Sequence, residues 1–421
     1  MTTVHRMSRA MFRELASGRG GIGAVHALAA ARRSRVLAAL RALVDLAVQT
    51  GHSDAPLVRT ALRGLADVPW TQVREVLAYP RVAAWVLRTA GTLAAGRPEE
   101  AAPRHLLAVL AAARSRAGIP GTVELPAAAT VVLPTLGTYT AASIGPVRVT
   151  TSVNRTTLFV GSAETPITNQ VLPGWSPVER LAVAHRGLRL DLKVDGAPSS
   201  GLPDEVVVRE RFADDLDAAT WRKRLADGWG VLVDRHRRVA EEVAAAATVL
   251  MPLASPTPEQ VSATFADMFG CVAMSLPADD VLAALTLAHE VQHAKLSALA
   301  DLFTLVRRDS SVRLYAPWRS DPRPPAALLQ GTYAHLGVAA FWRKHTGWQA
   351  EVEFARWRSA AQEAARSLVA CGALTDVGAE FVGGMKEVLD AWSVEPVSRR
   401  AEEEAKRLNE EHRSLWLRAH G

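Results

Sequence analysis

The stretch DDVLAALTLAHEVQHAKLSAL, residues 279–299, decides how the C-terminal half of the chain folds. Asp279 and Asp280 stand where the N-cap and the first turn of a helix favour acidic side chains. Apolar residues then recur at helical spacing. The pattern therefore predicts a helix that begins at these aspartates and continues through Val306.

The middle of this helix carries the sequence HEVQH, residues 289–293. His289 and His293 are four residues apart, so both imidazoles lie on one helix face, within reach of a single ion, with Glu290 beside them. Leucines surround the three side chains, and buried polar groups without partners are costly. The stretch therefore predicts a catalytic divalent metal. Two histidines packed in an apolar core are the alternative.

The third ligand decides which metal chemistry such a site supports. Leu296 and Leu299 stand where a metzincin has its glycine and third histidine, which excludes that subtype. His335, among apolar residues of a later helix, is either a ligand or a hydrogen-bonded core histidine. A peptidase with a glutamate ligand would take one from a later helix, although each candidate also fits a solvated helix face. These candidates are Glu351, Glu353 and Glu380.

A proline-rich loop, YAPWRSDPRP, follows the histidine helix at residues 315–324. Its two arginines, Arg319 and Arg323, suit a carboxylate ligand, because arginine binds carboxylates with two parallel hydrogen bonds and proline stiffens the loop. Surface ion pairs are the alternative for both. Three aromatic residues either line a pocket beside the metal or pack in the ordinary way. They are Tyr315, Trp318 and Tyr333.

The sequence predicts an α+β fold that is predominantly α-helical, with a β-rich module in the N-terminal half and a helical, metal-binding C-terminal domain. We expect a helical region over 1–117, the β-rich module over 118–200 and the metal-binding domain over 201–421. The finer elements are a strand over 187–196, a helix over 218–251, a proline-rich connector over 252–258, a buried strand over 270–277, a loop over 307–325, a helix over 326–344, and two or three amphipathic helices after it.

Composition narrows the possible functions. The formal net charge is +6, but the basic residues are scattered, so we do not expect nucleic acid as a partner. The two cysteines, Cys271 and Cys371, are far apart and form neither a disulfide framework nor a cysteine-bound cluster. The N-terminus lacks the apolar stretch of a signal peptide, and no run is long and apolar enough for a membrane span. We therefore expect a cytoplasmic protein.

Three blocks together resemble a known family. HEVQHAKLSAL at 289–299, YAPWRSDPRP at 315–324 and LLQGTYAHLGVAAFW at 328–342 are similar to the HExxH-motif peptide-modification proteins. These occur in gene clusters for ribosomally synthesised, post-translationally modified peptides, alone or fused to radical-SAM maturases. The resemblance is strongest over 263–342, and the cysteine count indicates the stand-alone form.

The resemblance implies an enzyme that uses Fe(II), 2-oxoglutarate and O₂ to hydroxylate a side chain of a precursor peptide, typically at a β-carbon. It implies that His289, His293 and His335 bind iron and that Arg319 or Arg323 holds a carboxylate of 2-oxoglutarate. Two histidines with one carboxylate are the commoner iron ligands, but coordination by Glu290 next to His289 is awkward. Orienting a ligand or water is the easier role for this glutamate. We expect the aromatic residues Tyr315, Trp318 and Tyr333 to line the pocket.

Three functions stay open at this point. The first is the iron-dependent and 2-oxoglutarate-dependent peptide hydroxylase. The second is a zinc peptidase in which Glu290 acts as general base on a zinc-bound water. The third is a non-catalytic partner that binds the peptide. We expect the N-terminal regions either to recognise the precursor peptide, which could add a strand to an edge around Thr122–Val171, or to form a homodimer.

Overall fold

The computed structural model describes residues 5–196, 218–253, 260–307 and 311–420. Over these residues the chain is a mixed α+β protein in which helices predominate, as predicted. No helix in this part of the chain is long and apolar enough to cross a membrane. The segments 197–217 and 254–259, with most of the expected proline-rich connector, and residues 308–310 of the expected loop lie outside the described residues.

The N-terminal region is helical, as predicted. Its central element is α2, whose Val25, Leu28 and Leu43 are fully buried. Gly118 ends the last helix in the left-handed conformation, at φ 63°, where a residue without a Cβ is favoured. The helices are α1 (Arg9–Ala16), α2 (Gly21–Gln49), α3 (Ala55–Ala66), α4 (Trp70–Leu77), α5 (Pro80–Ala94) and α6 (Leu106–Ala117).

An antiparallel sheet follows and accounts for most of the predicted β-rich module. Its order is β1-β2-β3-β4, and β5 also pairs with β2. Val149 in β2 lies opposite Val123 in β1 and Leu158 in β3, and all three side chains are buried. The strands are β1 (Gly121–Leu133), β2 (Gly137–Thr151), β3 (Thr156–Val160), β4 (Ala163–Pro166) and β5 (Trp175–Pro177).

The next strands and helices build a second sheet from distant parts of the chain. They are β6 (Arg180–His185), β7 (Leu188–Val194), α7 (Ala218–Arg235), α8 (Arg237–Ala246), β8 (Val249–Pro252), β9 (Ser262–Ala263) and β10 (Cys271–Met274). The order is β6-β7-β8-β10-β9, and β8 runs parallel to both neighbours. The sheet joins strands from both sides of residue 200, so the three-part division stays a prediction. The strands expected within 187–196 and 270–277 are confirmed.

The prediction of a single helix over 218–251 is wrong in two respects. His236, at φ −131° and ψ 42°, separates α7 from α8, and the last apolar residues form β8. Val249, Leu250 and Met251 are each at most 2% exposed in this strand. A strand that is buried on both faces has no alternation, so its sequence cannot be told from a buried helical turn.

The C-terminal half contains the histidine helix α9 (Asp280–Ala300). The Asp279 carboxylate caps it, accepting a hydrogen bond from the Leu282 backbone N–H at 2.7 Å, as predicted. The helix ends six residues before Val306, which instead forms a short β-bridge with Leu374. The predicted later helices are present as α10 (Pro325–Trp342), α11 (Trp348–Ala370), α12 (Asp376–Ser393) and α13 (Arg399–His420).

A buried ion pair connects α9 to α8, and both of its side chains also bind the turn before α2. Lys295 and Glu242 are 1% and 3% exposed, and Lys295 Nζ lies 2.6 Å from a Glu242 carboxylate oxygen. Lys295 also donates to the Arg19 carbonyl at 2.9 Å, and Glu242 accepts from the Gly21 backbone N–H at 2.7 Å. The position of the histidine helix therefore depends on the turn that precedes α2.

Candidate metal centre

The two imidazoles of α9 approach each other through their Nε2 atoms. His289 Nε2 and His293 Nε2 are 3.1 Å apart, and the rings are nearly perpendicular. Two imidazole nitrogens that bind one ion tetrahedrally at about 2.1 Å lie about 3.4 Å apart, and a direct hydrogen bond between the rings also gives a separation near 3 Å. The two nitrogens are therefore close enough to share an ion, and their role as metal ligands stays a prediction.

Hydrogen bonds at Nδ1 of two histidines favour the tautomer that leaves Nε2 free for a metal. His335 Nδ1 lies 2.8 Å from the Gly331 carbonyl oxygen, which can only accept. His293 Nδ1 lies 3.3 Å from the Gln330 amide oxygen, while the amide nitrogen of Gln330 donates to Ser297. In the neutral rings both Nδ1 atoms therefore carry the hydrogen, which leaves the Nε2 lone pairs available to a metal.

Burial keeps two of the rings neutral. It lowers the pKa of His289 well below its usual range, with a smaller effect from His293. It likewise lowers the pKa of His335 to about 3, against the hydrogen bond to Gly331, which raises it. A neutral imidazole keeps a free lone pair. These two rings are therefore better suited to bind a metal ion than to take up a proton.

His335 comes from α10 and lies beside the pair. Its ring centroid is 5.4 Å from that of His289, and it stacks on Trp318 at 4.2 Å. Over the described ranges, however, no three His, Cys, Asp or Glu side chains are grouped closely enough to hold one ion. The structure therefore places the third histidine next to the pair, and its role as a ligand stays a prediction.

A cavity of about 720 Å³ opens in front of the histidines. Six of the nine predicted site residues line it, from three separate segments of the chain. They are His289, His293, Trp318, Arg319, Arg323 and His335. No aspartate or glutamate lines this cavity in the part of the chain that the structure describes, so its charged walls are cationic.

The other three predicted residues lie away from the cavity wall. Tyr333 is fully buried, and its hydroxyl donates to the Leu15 carbonyl at 2.7 Å. The Tyr315 hydroxyl lies 2.8 Å from His412 Nδ1. Glu290 is 3% exposed and accepts a hydrogen bond from the Thr264 hydroxyl, which does reach the cavity. Glu290 is thus a neighbour of the site that contacts it through a hydroxyl group.

The two loop arginines already hold a carboxylate of their own loop. Arg319 Nε and Arg323 Nη1 lie 3.0 and 2.8 Å from the two oxygens of Asp321. The hydrogen bond from Arg323 is the main cause that lowers the pKa of Asp321. Both arginines line the cavity, as expected for carboxylate binding, but Asp321 partly neutralises them.

Sequence reasoning missed several residues of the cavity wall. They are Thr264, Gln330, Arg356, Trp357 and His412. Gln330 lies one turn before Ala334 in a block that already stood out in the sequence, so its position could have been noticed. Arg356 and Trp357 belong to α11, and nothing in that amphipathic pattern separates them from an ordinary helix face.

The glutamates that could have served as peptidase ligands are engaged elsewhere. Glu351 accepts from Ser398, Glu353 from the Trp357 indole N–H, and Glu380 from Arg9. The candidate centre is therefore the histidine pair of α9, with His335 beside it, in the wall of a cationic cavity. A scan against models of known protein families finds no match to this chain, and neither does a search of curated proteins.

Proposed function

We propose that this protein is an Fe(II)-dependent and 2-oxoglutarate-dependent dioxygenase that hydroxylates a side chain of a ribosomally synthesised precursor peptide, at a β-carbon. The observation that carries the proposal is the pair of Nε2 atoms 3.1 Å apart, on His289 and His293, in the wall of a cationic cavity. Imidazole nitrogens suit Fe(II), and a cationic wall suits a dicarboxylate co-substrate. The resemblance in the three sequence blocks also implies Fe(II) and 2-oxoglutarate.

The roles of the chain's own residues follow from their contacts. His289 and His293 would hold the metal, with His335 as the third ligand, and Fe(II) with 2-oxoglutarate and O₂ would supply the oxidising power to break a C–H bond. The Gln330 amide oxygen orients His293 through Nδ1, and the Gly331 carbonyl orients His335 in the same way.

Aromatic side chains protect one side of the site from water. Trp318 stacks on His335 with an interplanar angle of 13°, and the Trp357 ring centroid lies 4.7 Å from the same imidazole. Apolar walls of this kind keep a reactive centre dry and limit side reactions. The cavity volume of about 720 Å³ lies within the roughly 300–1,000 Å³ typical of small-molecule sites, so it has space for a co-substrate and one peptide side chain.

The direct test is intact-mass analysis of a precursor peptide incubated with the protein, Fe(II), ascorbate and 2-oxoglutarate. We expect the peptide to gain one oxygen atom, with one succinate formed for each hydroxylation. Product formation without O₂ or without 2-oxoglutarate would contradict the proposal. Peptide fragments in place of an oxidised peptide would identify the zinc peptidase instead.

Glu290 provides a second test that separates these two reactions. Because its carboxylate is buried against Thr264 and does not line the cavity, Glu290→Gln should lower hydroxylation by about tenfold, the low end of the cost of losing a residue that supports a site. A glutamine keeps the size of the side chain and an oxygen that can accept from Thr264. In a peptidase the same change would remove the general base and abolish cleavage. Product formation at several peptide concentrations and the bound metal content should be measured together.

A further inference from the structure

One cation in the wall of the cavity differs from the others. Arg319 and Arg323 share Asp321, whereas Arg356 of α11 makes no ion pair with any side chain that the structure describes. Its Nε is buried and has no hydrogen-bond partner. Arg356 lines the cavity and has no counter-ion in the described part of the chain, so an anion that enters the cavity can pair with its guanidinium.

The surroundings of Arg356 hold its guanidinium in one place. The guanidinium carbon lies 4.5 Å from the centroid of the Trp357 ring, a stacking contact that suits the flat arginine head group. Two acids of the same helix have other partners. Glu353 accepts from the Trp357 indole N–H at 2.6 Å, and Glu363 pairs with Arg413.

Arg356 also lies on the histidine side of the cavity. It lines the same wall as His335, and its positive charge contributes to the environment of both His335 and His412. Arginine forms two parallel hydrogen bonds to a carboxylate, a geometry that no other side chain reproduces.

We infer that Arg356 is the residue that binds a carboxylate in this cavity, in preference to the loop arginines that Asp321 already occupies. The inference rests on the proposed function, because that function makes this cavity the reaction site. Carboxylate binding itself can be measured without a metal and without the reaction. The carboxylate belongs either to a free dicarboxylate or to an acidic side chain of a peptide. The chemistry that Arg356 recognises is the same in both cases.

Calorimetric titration of the full chain, as purified and without added iron, tests the inference. The probes are glutarate, its neutral diamide, and a short peptide with one aspartate or with asparagine in its place. We expect Arg356→Gln to weaken binding of glutarate, of the aspartate peptide or of both by about tenfold or more. The affected probe identifies the source of the carboxylate. Arg356→Lys should restore part of the affinity, because it keeps the charge without the two-pronged geometry.

Arg366→Gln is the matched control, because Arg366 is exposed on the same helix and does not line the cavity. Arg319→Gln is the competing variant, since it removes a cavity arginine that is 56% exposed and paired with Asp321. Its effect should stay within about threefold for a surface pair. Three results would overturn the inference. They are equal affinity of Arg356→Gln and the unmodified chain for the carboxylate probes, a larger loss of affinity in Arg319→Gln than in Arg356→Gln, and no carboxylate binding by the unmodified chain. Unfolding curves of the variants show whether they are folded. Normal glutarate binding without peptide oxidation would refute the proposed function alone.

Discussion

Replacing His289 with alanine should remove the metal and abolish peptide modification. The change deletes one of the two nitrogens that lie 3.1 Å apart, so the remaining His293 would have to hold an ion without its partner on α9. Loss of a residue that merely supports a ligand costs about 10–100-fold in affinity or activity. We therefore expect at least a 100-fold loss of product, together with a metal content near zero by elemental analysis.

An exposed histidine away from the cavity provides the control for this result. His26 lies on α2 and is solvent-exposed, so His26→Ala should retain both metal and activity. His293→Ala should behave like the His289 variant. If His289→Ala kept a stoichiometric metal and normal activity, the α9 pair would be two packed core histidines, and the proposed function would fail with it.

Replacing Lys295 with methionine should lower the free energy of unfolding by a large amount. Lys295 is 1% exposed, and its removal leaves the Glu242 carboxylate buried without its cation. Breaking a buried ion pair from one side costs about 3–5 kcal/mol, because an uncompensated charge remains in the interior. Urea unfolding followed by circular dichroism should show the decrease as a lower midpoint.

The comparison for Lys295 is an exposed pair of the same type. Lys223 lies 2.8 Å from Asp227 one turn along α7 and is 77% exposed, so Lys223→Met should cost less than about 1 kcal/mol. The double change Lys295→Met with Glu242→Leu should recover part of the loss, since it removes both charges. Similar midpoints for the two single variants would show that the buried pair does not hold α9 in place.

The sequence predicts those features that local rules control. The Asp279 cap, the helix after it and the approach of two imidazoles one turn apart all depend on residues close together in the chain. The proline-rich loop also reaches the cavity through Trp318 and both arginines, as expected from its block. Whether these residues bind iron and 2-oxoglutarate stays a prediction.

Features that depend on tertiary packing could not be predicted from the same patterns. Tyr333 was expected to line the pocket, but its ring packs in the core and its hydroxyl donates to the carbonyl of Leu15, from the other end of the chain. Arg356 becomes distinctive only because α11 packs on α10 beside the cavity. The strand at Val249–Pro252 was hidden for a similar reason, since its neighbours in the sheet come from distant segments.

The parallel position of β8 has a consequence for the order in which the protein folds. The first sheet can form early from neighbouring hairpins, whereas β8 must find β7 and β10 across long separations in the chain. Closing such loops costs entropy before any contact compensates for it, so pairing of this kind is slow. The histidine helix follows β10 directly. The packing of this helix on the second sheet should therefore be completed only after that sheet has closed, even though the helix itself forms from local residues.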